Sequence, residues 1–113
     1  ATRSASHVDL GGSALLFGAS GDPVGEYRVR DLTSRGALLR GRPWTEDTGR
    51  RVHVMLALPS RTEPLEVWGH VGRRVEEATD AVELELHFRD LSADDEDAIE
   101  EAILLEWSRV RDA

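Results

Sequence analysis

The sequence contains no cysteine, which excludes disulfides, thiolate zinc sites and cysteine catalysis. It contains no lysine either: all fourteen basic residues are arginine. Apart from histidine, every cationic side chain is therefore a planar guanidinium, the group suited to forked contacts with phosphate and guanine. No apolar run approaches the roughly 18 residues that a membrane-spanning helix needs, so no membrane insertion is expected. No charged-then-apolar leader opens the sequence, and a cytoplasmic location is the expectation. Positive charge is in the minority, with a net charge of −8. Such a balance disfavours duplex DNA and anionic lipid as partners.

What is present fits one small domain of 113 residues. Its acidity is concentrated in the tail. Residues 90–113 hold nine acids against Arg109 and Arg111, whereas the other 89 residues hold thirteen acids and twelve arginines. The middle of the chain alternates with a period of two. Val52, Val54, Leu56 and Leu58 form one such set, Leu65, Val67, Gly69 and Val71 a second, and Val82, Leu84, Leu86 and Phe88 the third. Turn signals lie between them at 59–64 and 76–80. Earlier strand candidates are 13–18, 25–31 and 37–42, the first two joined by a loop at 18–23. Six short strands with one apolar face predict a six-stranded antiparallel β-barrel, because closure removes exposed edges.

From Ser92 the period changes. Ser92 is a good N-cap, and Asp94, Asp95 and Glu96 occupy the first turn, where the helix dipole favours acids. Ile99, Ala102, Ile103, Trp107 and Val110 follow at helical spacing. The expectation is an all-β fold with one C-terminal amphipathic helix over 92–112, a barrel over 12–90 and an N-terminal arm over 1–11. Ile99, Ile103 and Val110 are expected to be buried. Leu104 and Leu105 widen the stripe and are expected to pack on the barrel, with a partner interface as the alternative.

The segment Asp31-Leu-Thr33-Ser34-Arg35-Gly36 lies between the second and third strands. By itself it reads as a turn: a carboxylate, a hydroxyl, and a glycine for a positive φ. Its setting is informative. The stretches Val29–Leu39, Val54–Pro59, Leu65–Val71 and Leu84–Ser92, taken with the strand order and the terminal helix, make the whole chain resemble a PilZ domain. That family is the bacterial receptor module for the dinucleotide second messenger c-di-GMP. The resemblance implies two ligand motifs. One is Asp/Asn-x-Ser-x-x-Gly, matched by Asp31 and Gly36, with Thr33 keeping the hydroxyl and Ser34 and Arg35 between. The other is Arg-x-x-x-Arg before the first strand, matched by Arg3, with His7 where the second arginine should be. His7 lies 24 residues before Asp31.

That departure sits at a ligand position. A guanidinium can fork onto guanine O6 and N7, pair a phosphate, or stack on a base. Imidazole is largely neutral at pH 7 and cannot fork. Arg30 and Arg35 are the candidate substitutes. The resemblance thus implies a c-di-GMP-binding signalling module acting on a bacterial protein partner, with weakened affinity. The alternative is a degenerate PilZ-like domain that does not bind the nucleotide and acts by protein–protein contact. No enzyme, cofactor or metal is expected, since no nucleophile–base pair stands at an informative spacing. His53, His70 and His87 are spaced evenly by 17 residues on the polar faces of three strands. Simple hairpin registers would align them in one outer row, roughly 5 Å apart, which is the one arrangement that could hold zinc. Trp68 neighbours that row, covered by the helix or a loop, or else offered to a partner.

Overall fold

The computed structural model describes residues 12–18, 20–44, 49–59, 61–78 and 81–112. Six strands precede one helix: β1 (Ser13–Phe17), β2 (Pro23–Leu32), β3 (Gly36–Gly41), β4 (Arg51–Ala57), β5 (Leu65–Ala78), β6 (Ala81–Arg89) and α1 (Ala93–Asp112). All pairings are antiparallel, and the sheet closes in the order β1-β2-β3-β6-β5-β4. The expected barrel and terminal helix are therefore what this sequence forms. No helix among the described residues is long and apolar enough to cross a membrane.

The period-two pattern dictates what fills the barrel. Ala14 and Leu16, Val52, Val54 and Leu56, Leu65 and Val67, and Val82, Leu84 and Leu86 all turn inward and are buried. Two aromatics complete the core. Tyr27 and Trp44 meet edge to face with ring centroids 6.2 Å apart. Trp44 lies outside any strand, so no periodicity announces it, yet it is 2% exposed. Arg74 on β5 donates to the Trp44 carbonyl at 2.9 Å, tying that irregular segment to the sheet. Burial raises the Tyr27 pKa above its ordinary value, opposed by the Arg42 charge.

Two elements depart from the sequence expectation. The turn assigned to 76–80 is shorter, because β5 runs on to Ala78. A register shift between Val71 and Arg73 makes Gly72 a bulge. Beyond it, β5 stays paired with β6 but no longer with β4, whose last partner on β5 is His70. With Arg73, Arg74, Val75 and Glu76 all exposed, this part of the strand has no buried face for an apolar alternation to reveal.

The second departure concerns the helix. Ser92 caps it as expected: its hydroxyl accepts the Asp95 N–H at 3.1 Å. Ile99 and Ala102 join the barrel core. Ile103 is partly buried, and the side chain of Val110 lies outside the described residues. Leu104 and Leu105 do not pack on the barrel; they are 67% and 48% exposed. They flank the Ile99–Ala102 contact line on the helical circumference, too far round to reach the sheet. Replacing Ile99 by Ala should cost about 2–5 kcal/mol in denaturant unfolding, and replacing Ile103 should cost clearly less.

Candidate functional site

The Asp31–Gly36 segment is a tight turn closed by its own polar groups. Thr33 N–H donates to the Gly36 carbonyl at 2.9 Å. The Thr33 hydroxyl accepts the N–H groups of Arg35 and Gly36, each at 3.2 Å, and can donate to the Gly36 carbonyl at 3.3 Å. The hydroxyl at this position therefore builds the turn. Asp31 is 8% exposed, and one of its carboxylate oxygens accepts the Leu32 N–H at 2.9 Å. A register shift between Val29 and Asp31 places a bulge at Arg30, which sets the direction of the strand entering the turn.

Gly36 is needed for a reason other than the one its sequence context implies. Its φ is not positive; among the described glycines only Gly21 and Gly49 are in that region. Instead it pairs with His87 on β6, and a Cβ there would collide with the Leu86 carbonyl oxygen. Close strand approach is what excludes a side chain. The same contact is fastened by Phe88 N–H donating to the Arg35 carbonyl at 2.9 Å.

Two clefts flank this turn on the outside of the barrel. One, of about 430 Å³, is lined by Asp31, Thr33, Gly36, Leu38 and Glu85 among others. The other, of about 490 Å³, is lined by Ser34, His70, Arg89, Asp90 and Glu96 among others. Arg35 and His87 line both, so the two clefts, together the trough, adjoin at those residues beside the turn. Of the substitute arginines, Arg35 faces the trough. Arg30 points to Glu83 at 3.9 Å instead. Arg3 and His7 lie outside the described residues. The structure thus brings Asp31, Thr33, Ser34, Arg35 and Gly36 together, and adds Glu85, His87, His70 and Arg89 from β5 and β6.

The three histidines do not form one row. His70 faces His87 as expected, with rings stacked at 5.1 Å and 24°. His53 lies opposite Trp68, and His70 lies opposite Arg51. The register, with Val54 opposite Val67 and Leu56 opposite Leu65, is two residues away from the one that would align His53 with His70. His53 therefore stands between Phe17 at 5.7 Å and Trp68 at 4.8 Å. Trp68 is 42% exposed, and the Arg51 guanidinium lies 4.3 Å from its ring centroid. The zinc-compatible arrangement is not assembled.

The comparisons with known proteins agree with this architecture. The PilZ domain family model matches residues 3–105. The chain belongs to the PilZ domain family. Solved structures share the fold at low identity. K. pneumonia MrkH in its apo state is 12% identical, with a TM-score of 0.76 over 93% of this chain and 48% of MrkH. The MrkH–c-di-GMP complex gives 14% and 0.75 over 98% of this chain and 52% of MrkH. The c-di-GMP-bound PilZ domain of YcgR from Escherichia coli gives 14% and 0.68 over 89% of this chain and 85% of that one. This PilZ domain thus spans about half the length of MrkH. No curated protein matches it in sequence.

Within the trough, His70 is the perturbed group. Burial, then the Arg89 charge, then His87 hold its pKa below the ordinary histidine value. Its Nδ1 is enclosed with no hydrogen-bond partner. A lowered folded-state pKa contributes stability that is complete above the unfolded value near 6.5 and is lost as pH falls through the folded value. Stability should therefore fall as pH drops below the ordinary histidine value near 6.5, and the fall should be smaller in His70→Asn. Denaturant midpoints measured across that range test this. Separately, Thr33→Ser should leave stability within about 0.5 kcal/mol, and Thr33→Val should cost about 1 kcal/mol or more by stranding the turn's N–H groups.

Proposed function

We propose that this PilZ domain is a c-di-GMP receptor and that the nucleotide binds in the trough beside the Asp31–Gly36 turn. The observation that carries the reading is the trough itself. A loop matching the family's Asp/Asn-x-Ser-x-x-Gly motif opens onto a concave surface lined by carboxylates, guanidiniums and imidazoles. Those groups suit the ligand. Guanine presents N–H donors that carboxylates accept, and O6 and N7 that a guanidinium forks onto. The phosphates call for cations, which Arg35 and Arg89 supply. Family membership and the c-di-GMP complexes of YcgR and MrkH support the same assignment. The role is that of a signalling receptor, without catalysis, passing the bound state to a protein partner.

One observation favours the second reading, a domain that works through protein contact without the nucleotide. His7 stands where the family's Arg-x-x-x-Arg motif has its second arginine. Losing one forked contact costs about 1–3 kcal/mol, or roughly 5- to 150-fold in affinity. Arg35, facing the trough, is the group placed to offset it.

Calorimetric titration with c-di-GMP separates the two readings. The domain should bind, and His7→Arg should tighten binding about ten-fold. Asp31→Asn should weaken binding in the His7→Arg background by a similar factor or more, since one acceptor becomes a donor. Absence of binding by both the unaltered domain and His7→Arg at high ligand concentration would leave the protein-contact reading standing.

A further inference from the structure

We propose that His87 is a base-stacking platform: a guanine of the bound dinucleotide lies against its ring over Gly36, with the adjoining phosphate turned toward Arg35 and Arg89. This deepens the receptor reading and rests on it.

The placement follows from what surrounds the ring. His87 stands between two glycines. On the β5 side is the bulged Gly72, where a Cβ would come within 2.5 Å of the His87 ring. That missing side chain lets the ring settle over β5 and stack on His70. On the β3 side its partner is Gly36, which has no side chain either. The smaller cleft beside the ring is therefore walled by Gly36 together with the apolar Ala37, Leu38 and Leu86, and no bulky side chain stands at the position paired with the ring. His87 is also held. Its Nε2 meets the Glu85 carboxylate at 2.8 Å, while its side chain remains 44% exposed. A ring fixed by a carboxylate and backed by a second ring, yet open to a cleft, is already organised to receive a planar base. The base would extend the stack begun by His70 and His87.

Charge decides which part of the ligand goes where. The smaller cleft is lined by two carboxylates, Asp31 and Glu85, and one guanidinium, Arg35. Carboxylates repel a phosphate and accept the N–H groups of a guanine edge. The larger cleft is lined by two guanidiniums, Arg35 and Arg89, beside His70, and also by Asp90 and Glu96. Asp90 is itself drawn to Arg51 at 3.6 Å. The cations shared with and beyond the turn thus suit the phosphate, and the acid-lined slot suits the base. His87 lies on the boundary, where the base and the phosphate of one nucleotide would join.

The test uses the whole domain with c-di-GMP as probe. His87→Ala should weaken binding at least about five-fold, the usual loss when a stacking ring is removed. His87→Phe keeps the ring and should stay within about three-fold of the unaltered domain. In the unaltered domain, the ring-proton resonances of His87 should move upfield on titration, a signature of a base lying over the ring. That measurement stands even if His87→Ala folds poorly. Unchanged affinity in His87→Ala, or His87 resonances that do not move while c-di-GMP binds, would overturn the stacking role and leave the receptor reading intact. Failure of both the unaltered domain and His7→Arg to bind would overturn both.

Discussion

The close approach of β3 to β6 at Gly36 is the constraint from which the site follows. A side chain at that position would collide with the Leu86 carbonyl, so the strands can pair from Gly36 to Gly41 only because position 36 is bare. Pairing there fixes Arg35 through the bond from Phe88 N–H to its carbonyl. It also fixes the Thr33 hydroxyl inside the turn and sets His87 level with the turn's end. The barrel needs this contact for closure, and both Gly36 and Leu86 also line the smaller cleft. Stability and site geometry therefore depend on one backbone approach, which is why Gly36 cannot be read as a conformational glycine alone.

Bulges do the remaining placement. An ideal ladder would carry β2 and β5 past the site with unbroken alternation. The bulge at Arg30 lets Asp31 and Leu32 both reach low exposure, so the carboxylate enters the turn from the protein side. The bulge at Gly72 releases β5 from β4 and makes space for the His87 ring. The first break in periodicity serves side chains on its own strand, and the second serves a side chain on the neighbouring one. The aromatic contacts Phe17–His53–Trp68 with Arg51 follow from the β4–β5 register, which sets His53 opposite Trp68.

Much of the fold was legible because alternation and helical spacing are direct consequences of burial. Val54, Leu56, Val67, Leu84 and Leu86 were readable as inward, and so was Ile99 on the helix. Trp44 was not, because it reaches the core from an irregular segment. The extension of β5 was not either, because Arg73 to Glu76 have no buried face. Of the site, Asp31, Thr33 and Gly36 were legible as a turn motif. The role of Gly36 came out differently, since a glycine that admits a neighbouring strand leaves the same letter as one with a positive φ. Glu85, His87 and Arg89 were hidden by register. Sequence spacing aligned the histidines correctly across β5–β6, where the connection is two residues, and wrongly across β4–β5, where the longer loop lets the pairing slide.

The turn has a second side. A shallow groove of about 390 Å³ runs between it and α1, lined by Leu32, Thr33 and Ser34 on one wall and Glu100, Ile103 and Leu104 on the other. Thr33 also lines the smaller ligand cleft, and Ser34 the larger one. Two residues therefore face the trough and the helix at once. A nucleotide could move α1 only if it bound more tightly to one arrangement of that turn than to another. The internal bonds of Thr33 make large rearrangement of the turn costly, since its hydroxyl serves two N–H groups that would lose their acceptor. Any signal passing this way is thus better carried by a small shift at the Ile103–Leu104 wall, where packing is partial and Leu104 is already exposed, than by unfolding of the turn.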